Sequence, residues 1–159
     1  MAKDRNSRRF NLSLLTLIVL VTSTGLGQAT AVAAELSDYR WQHRPLLLFA
    51  PMDTDPRLVE TLSRIEASRC DFLDRDMVIG VVVTEGISTL GGQVINADES
   101  RELADQYAID ANAFSALLIG KDGGEKLRIN EVPNLQEIYA VIDGMPMRGS
   151  EMSAKPDKC

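Results

Sequence analysis

Histidine, cysteine and aromatic side chains are scarce in this chain. Of its 159 residues one is a histidine (His43), two are cysteines (Cys70 and Cys159) and 5% are aromatic. A single histidine excludes a two-histidine metal centre. A catalytic triad would have to use His43, which beside Trp41 and Arg44 reads as a domain-edge residue. No C-x-x-C occurs, so no dithiol redox motif is spelled out. Long apolar runs are missing too. The one extended stretch, Leu12 to Val21, is too short to span a bilayer comfortably.

That stretch reads instead as the core of an export signal. Lys3, Arg5, Arg8 and Arg9 form a basic flank, and Ala31-Val32-Ala33 supplies a small-residue cleavage pattern, with Ala29-Thr30-Ala31 as a second site. Ser7-Arg8-Arg9 gives a partial match to a twin-arginine signal. No cysteine follows the apolar run, so no lipoprotein anchor is indicated, and no membrane anchor is expected after cleavage. Residues 1–33 are thus a signal peptide, and export to the periplasm or the exterior is the expectation. Removing 33 of 159 residues leaves 126, enough for one domain with one core. Four of the 17 basic and one of the 23 acidic residues leave with the signal, moving the net charge from −6 to −9. Such a balance argues against nucleic acid and anionic membrane surfaces as partners. It leaves a protein or another envelope component.

In an oxidising compartment Cys70 and Cys159 could form one disulfide. The alternative is a semi-buried Cys70 and a loose Cys159. The C-terminal residues 151–159, rich in Lys, Pro, Ser and Asp, read as a disordered tail. The domain is therefore expected over 34–150.

Within it, Leu46 to Ala50 is a continuous apolar run, the pattern of a strand covered on both faces. Asp53 or Asp55 can cap a following helix, with Pro56 in its first turn. Leu58, Val59, Leu62 and Ile65 recur at helical spacing, and Phe72 and Leu73 extend the stripe. Met77 to Val83 is a second strand, and 84–96 a glycine-bearing loop with a small hairpin at 93–95. Asp98 caps a helix over about 99–107. Phe114 to Ile119 is a strand, Lys121-Asp122-Gly123-Gly124 a hairpin turn, and Lys126 to Ile129 the antiparallel return. Asn134 and Glu137 frame a last helix, closed by Gly144 and Pro146. The order β-α-β-α-β-β-α implies an α/β fold on a central four-stranded mixed sheet, the thioredoxin-like arrangement.

Three strings carry a resemblance: Leu47-Leu48-Phe49-Ala50-Pro51, Leu118 to Leu127 around the glycine turn, and Ile142-Asp143-Gly144-Met145-Pro146-Met147-Arg148. Over about 36–152 the chain resembles a secreted domain of unknown function, thioredoxin-like and distantly similar to peroxiredoxins. That domain is found in bacterial exported proteins and in animal sushi-repeat-containing and coiled-coil-domain-containing matrix proteins. The resemblance implies a fold and a compartment but no reaction, catalytic residue or cofactor. It directs interest to Lys121, Asp122, Gly123 and Gly124, and to Asp143, Met145, Pro146 and Arg148.

It also gives weight to what Met52-Asp53-Thr54-Asp55 does not contain. This strand-to-helix junction is where a thioredoxin-like domain holds its reactive cysteine. The facing proline before the third strand is missing as well, replaced by Ala113-Phe114-Ser115. Cys70, near the end of its helical stripe and beside Asp71 and Asp74, is poorly placed for a thiolate. Asp53 and Asp55, or Asp71, Asp74 and Asp76, are oxygen donors of the kind calcium takes, but neither run has the EF-hand spacing, and capping and turn formation explain both. An anion at the helix start would meet the charge of the capping aspartates. A carboxylate at the end of the last helix faces the negative end of its dipole, so Asp143 should have a basic partner, Arg148 or Lys121. The reading favoured is a binding or scaffolding domain without redox chemistry. The alternative is a thiol-dependent oxidoreductase or peroxidase-like enzyme using Cys70, with Cys159 resolving.

Overall fold

Leu46, Leu48 and Ala50 point to one side of their strand and Leu47 and Phe49 to the other, and all five are buried. That double burial makes the strand the spine of the molecule. The computed structural model describes residues 35–154. The expected signal peptide and Cys159 lie outside the described residues.

The spine is β1 (Arg44–Met52), followed by α1 (Pro56–Ala67), α2 (Arg69–Asp74) and β2 (Met77–Glu85). A short hairpin, β3 (Ser88–Leu90) and β4 (Gln93–Ile95), precedes α3 (Ala97–Gln106). Then come β5 (Ser115–Ile119), β6 (Glu125–Ile129), α4 (Leu135–Asp143) and α5 (Pro146–Ala154). The sheet runs β4-β3-β2-β1-β5-β6. β1 and β2 are parallel, with Leu47 opposite Gly80, and β5 is antiparallel to β1, with Leu46 opposite Leu118. Leu58, Ile65, Phe72, Ile138, Tyr139 and Ile142 cover one face, while Ile95, Tyr107 and the half-buried Leu103 and Ala104 cover the other. Among the described residues no helix is long and apolar enough to cross a membrane.

Four points depart from the sequence reading. The sheet has six strands rather than four, because the loop at 84–96 folds as a two-stranded extension. Gly91 and Gly92 turn it with φ of 57° and 84°, the paired left-handed geometry that tight hairpins require. The helix expected from Pro56 to Leu73 is two helices. Ser68, at φ −116° and ψ 31°, ends α1, and its hydroxyl meets the Tyr139 hydroxyl at 2.7 Å. The cap of α3 is Asn96, not Asp98, in a capping box with Glu99. The helix from Asn134 closes at Gly144 as expected, but it is not the chain's last, because Pro146 starts another. It opens α5, so residues 151–154 of the expected tail are helical, and Pro at a first helical position costs no hydrogen bond.

Candidate functional site

The parallel strands β1 and β2 give the molecule two ends. At their C-terminal end lies the β1–α1 junction. Asp55 caps α1, its Oδ1 accepting from the Arg57 amide at 2.9 Å and from Arg57 Nε at 3.0 Å. Its Oδ2 accepts from Arg57 Nη2 at 2.6 Å. The Asp55 side chain is 7% exposed. The Arg57 guanidinium hydrogen-bonded to it, with help from the backbone, holds the carboxyl below the usual carboxylate range against the opposing effect of burial. Arg57 in turn lies over the Phe114 ring, 5.3 Å from its centroid. The junction thus holds a capping carboxylate neutralised by an arginine that itself lies over an aromatic ring. Asp53 stays exposed.

The opposite end gathers the residues of the family strings. Lys121, 7% exposed, donates to Asp76 at 2.8 Å and pairs with Glu151 at 2.7 Å. Glu151 also accepts from both terminal nitrogens of Arg44, which is 1% exposed. Burial alone would raise the Glu151 carboxyl, but Arg44 and Lys121 outweigh it and hold the group below its usual range. Asp122 stays in the turn, accepting from the Gly124 amide at 3.0 Å and from Lys126 at 2.6 Å. Gly123 sits at φ 85°, and a Cβ there would come within 3.1 Å of Arg40 Nε.

The corner at 143–148 adjoins this network. Asp143 accepts from Arg148 Nε at 3.2 Å and from Arg75 Nη2 at 2.7 Å. The expected Arg148 partner is therefore present, Arg75 is an addition, and Lys121 is engaged elsewhere. Burial raises the Asp143 carboxyl, yet the two arginines together bring it below its usual value. Buried Arg148 also donates to the Asp74 carbonyl at 2.8 Å and to its carboxylate. Met145 packs at the core edge and Pro146 begins α5. The two strings thus converge on a corner lock. Arg44, Arg75, Asp74 and Glu151 complete it without a sequence signal, apart from the placing of a charged residue at the start of an apolar strand.

Cys70 is in the first turn of α2, not at the end of a longer helix. It is disulfide-bonded, exposed, and on a helix separate from the β1–α1 junction. The grouping of Asp71, Asp74 and Asp76 is consumed by Arg75, Arg148 and Lys121. Among the described residues no group of three or more His, Cys, Asp or Glu could hold a metal ion.

Beside the β1–α1 junction, on the α3 side, lies a groove of about 570 Å³. Val82, Ile87, Val94, Ile95 and Ile109 form much of its apolar lining, with the Thr84 hydroxyl tied to the Ala111 carbonyl at 2.9 Å.

The family described as "Domain of unknown function (DUF4174)" matches residues 35–151. Coiled-coil domain-containing protein 80 of Danio rerio is 28% identical over 134 residues, covering 74% of this chain and 16% of that protein. The chain thus spans about a sixth of that relative's length. A reduced 2-Cys peroxiredoxin of Plasmodium vivax superposes with a TM-score of 0.55 at 15% identity, over 74% of this chain and 72% of that one. Thioredoxin peroxidase I of Plasmodium yoelii gives 0.53 at 18%, over 74% and 80%. At these identities the likeness is one of fold, and the fold is thioredoxin-like.

Proposed function

The chain belongs to the DUF4174 family, and on that premise we propose that it is an exported binding or scaffolding module of the cell envelope whose thioredoxin-like core performs no thiol chemistry. The observation that carries this reading is the sealed β1–α1 junction. A nucleophile there would need an open helix N-terminus and a group able to ionise and attack. Asp55 instead occupies the cap, accepts three hydrogen bonds from Arg57 and is buried. Export rests on the basic flank and apolar stretch of residues 1–33 and on the loss of positive charge with them.

A peroxidase-like activity, suggested by the names of the structural neighbours, would have to use Cys70. That residue is exposed on a six-residue helix away from the junction, with Asp71 adjoining it.

The test is a peroxide-reduction and a disulfide-reduction assay on the purified protein, with and without prior reduction, beside cell fractionation. The expected outcome is no turnover above buffer, the same for Cys70→Ser, and recovery in the exported fraction. Turnover that disappears in Cys70→Ser would reverse the reading, and retention in the cytoplasm would remove its export half.

A further inference from the structure

The groove beside the sealed junction is built unlike the opposite end of the molecule. There the buried cations Arg44, Lys121 and Arg148 each have a carboxylate partner. Here the apolar side chains and the charges at the rim are left open. Ile87, just before β3, is 66% exposed, and Val94, within β4, is 68% exposed. Aliphatic side chains this exposed and adjoining one concavity mark an interaction surface rather than scattered surface residues. β4 is the last strand of the sheet on that side, so its outer edge is available to an added strand.

The charge at the rim selects the occupant. Asp105 and Asp110 line the groove. Asp53 lies against its Gly86, where a Cβ would meet Asp53 Oδ2 at 2.8 Å. Among the described residues none of these three carboxylates forms an ion pair or a side-chain hydrogen bond, and none is among the residues with further contacts. The one cation in the lining, Arg101, is already paired with Asp98 at 2.8 Å. An acidic partner would thus meet uncompensated repulsion, and a neutral one would leave the carboxylates unused.

We infer that this groove takes an extended segment of a partner polypeptide that presents aliphatic side chains to Val82, Val94 and Ile95 and a lysine or arginine to Asp53, Asp105 and Asp110. The inference rests on the binding-module reading and names its site and partner class. A groove of about 570 Å³ accommodates a few side chains. Backbone pairing along β4 would supply affinity and the alternate side chains specificity.

Fluorescence anisotropy with three labelled peptides of equal length tests it: alternating Leu-Lys, alternating Leu-Glu and alternating Ser-Lys. Leu-Lys is expected to bind, Leu-Glu not to bind, and Ser-Lys to bind at least about tenfold more weakly. Raising the salt should weaken Leu-Lys binding. Val94→Arg and the double variant Asp105→Lys with Asp110→Lys, all at exposed positions, should each abolish it while leaving the circular dichroism spectrum unchanged. Equal binding of Leu-Glu and Leu-Lys, no binding of Leu-Lys at millimolar concentration, or full binding by Val94→Arg each overturns the inference. So does a dimer in sedimentation that Val94→Arg dissociates, since a second copy then covers the groove, or binding of hexylamine in place of the peptides. Capture of an envelope partner that survives Val94→Arg would remove the groove but keep the binding module. Thiol turnover would remove the module itself.

Discussion

Glu151, in the last helix, accepts hydrogen bonds from Nη1 and Nη2 of Arg44, at the first position of β1, at 2.9 and 3.1 Å. The pair closes the charged end of the molecule across 107 residues of sequence. Lys121 shares the same carboxylate at 2.7 Å. Two buried cations therefore depend on one acid, and removing it leaves both without that partner in a poorly solvated place.

Glu151→Ala should accordingly destabilise the fold by about 3 kcal/mol, near the lower range for breaking a buried pair. Truncation after Ser150 should cost at least as much. Urea unfolding of the three proteins measures this. A loss below about 0.5 kcal/mol, the level of a surface pair, would show that Arg44 is not desolvated as described.

The acid limb of the stability curve follows from Asp55, Asp143 and Glu151. All three carboxyls are lower in the folded protein than their ordinary values of 3.8, 3.8 and 4.5. A depressed folded value means stability that is complete above the unfolded value and lost as the pH falls through the folded one. The urea midpoint should therefore drop on acidification below about pH 4. For Glu151→Gln the drop should be shallower. A midpoint that rises on acidification across this window would contradict the assignment.

At the junction, Asp55→Ala removes the α1 cap and the acceptor for Arg57. The expected cost is about 1–2 kcal/mol. Asp55→Asn keeps an acceptor for the Arg57 amide and should cost less. Chemical denaturation separates the two, and equal losses would assign the effect to charge rather than to capping.

Tyr107 supplies a prediction of opposite sign. Its hydroxyl is buried and has no hydrogen-bond partner among the described residues, while its ring stands edge-on to Phe49 at 6.3 Å. Burial, together with nearby Glu125, raises its pKa. Tyr107→Phe keeps the ring contact and deletes the orphaned group, so it should be neutral or stabilising, by up to about 1 kcal/mol. Destabilisation beyond about 1 kcal/mol would reveal a partner for the hydroxyl.

Much of the fold was legible because its signals are local. The run Leu46 to Ala50 has no polar residue, and burial on both faces is what such a run requires. Lys121 to Gly124 spells its own turn, and the cap of α1 was narrowed to Asp53 or Asp55, of which Asp55 serves. What escaped is held by distant partners. α5 buries only Arg148 and carries Gly149, so neither periodicity nor propensity marks it. It forms because Glu151 reaches Arg44 and Lys121 and because Arg148 reaches Asp74. The break at Ser68 was hidden in the same way, since the apolar stripe continues past it to Phe72 and the Tyr139 contact comes from α4. The corner was half-readable. The helix-end argument offers Arg148 or Lys121 as partner to Asp143, and Arg148 is the one found, whereas Arg75 comes from 68 residues earlier. The groove was not readable, because the residues that line it only meet once the β3–β4 extension has paired alongside β2.

The Arg44–Glu151 closure also sets an order of events. Chains emerge from the ribosome at roughly 5–20 residues per second, so on the order of ten seconds separates the appearance of Arg44 from that of Glu151. For that interval the first strand carries a cation whose carboxylate partner among the described residues lies in the last helix. The sheet can assemble meanwhile, but its charged end stays open to water and to other proteins until the C-terminus arrives. If α5 docks after the rate-limiting step, substitutions at Glu151 should leave the refolding rate nearly unchanged and speed unfolding instead.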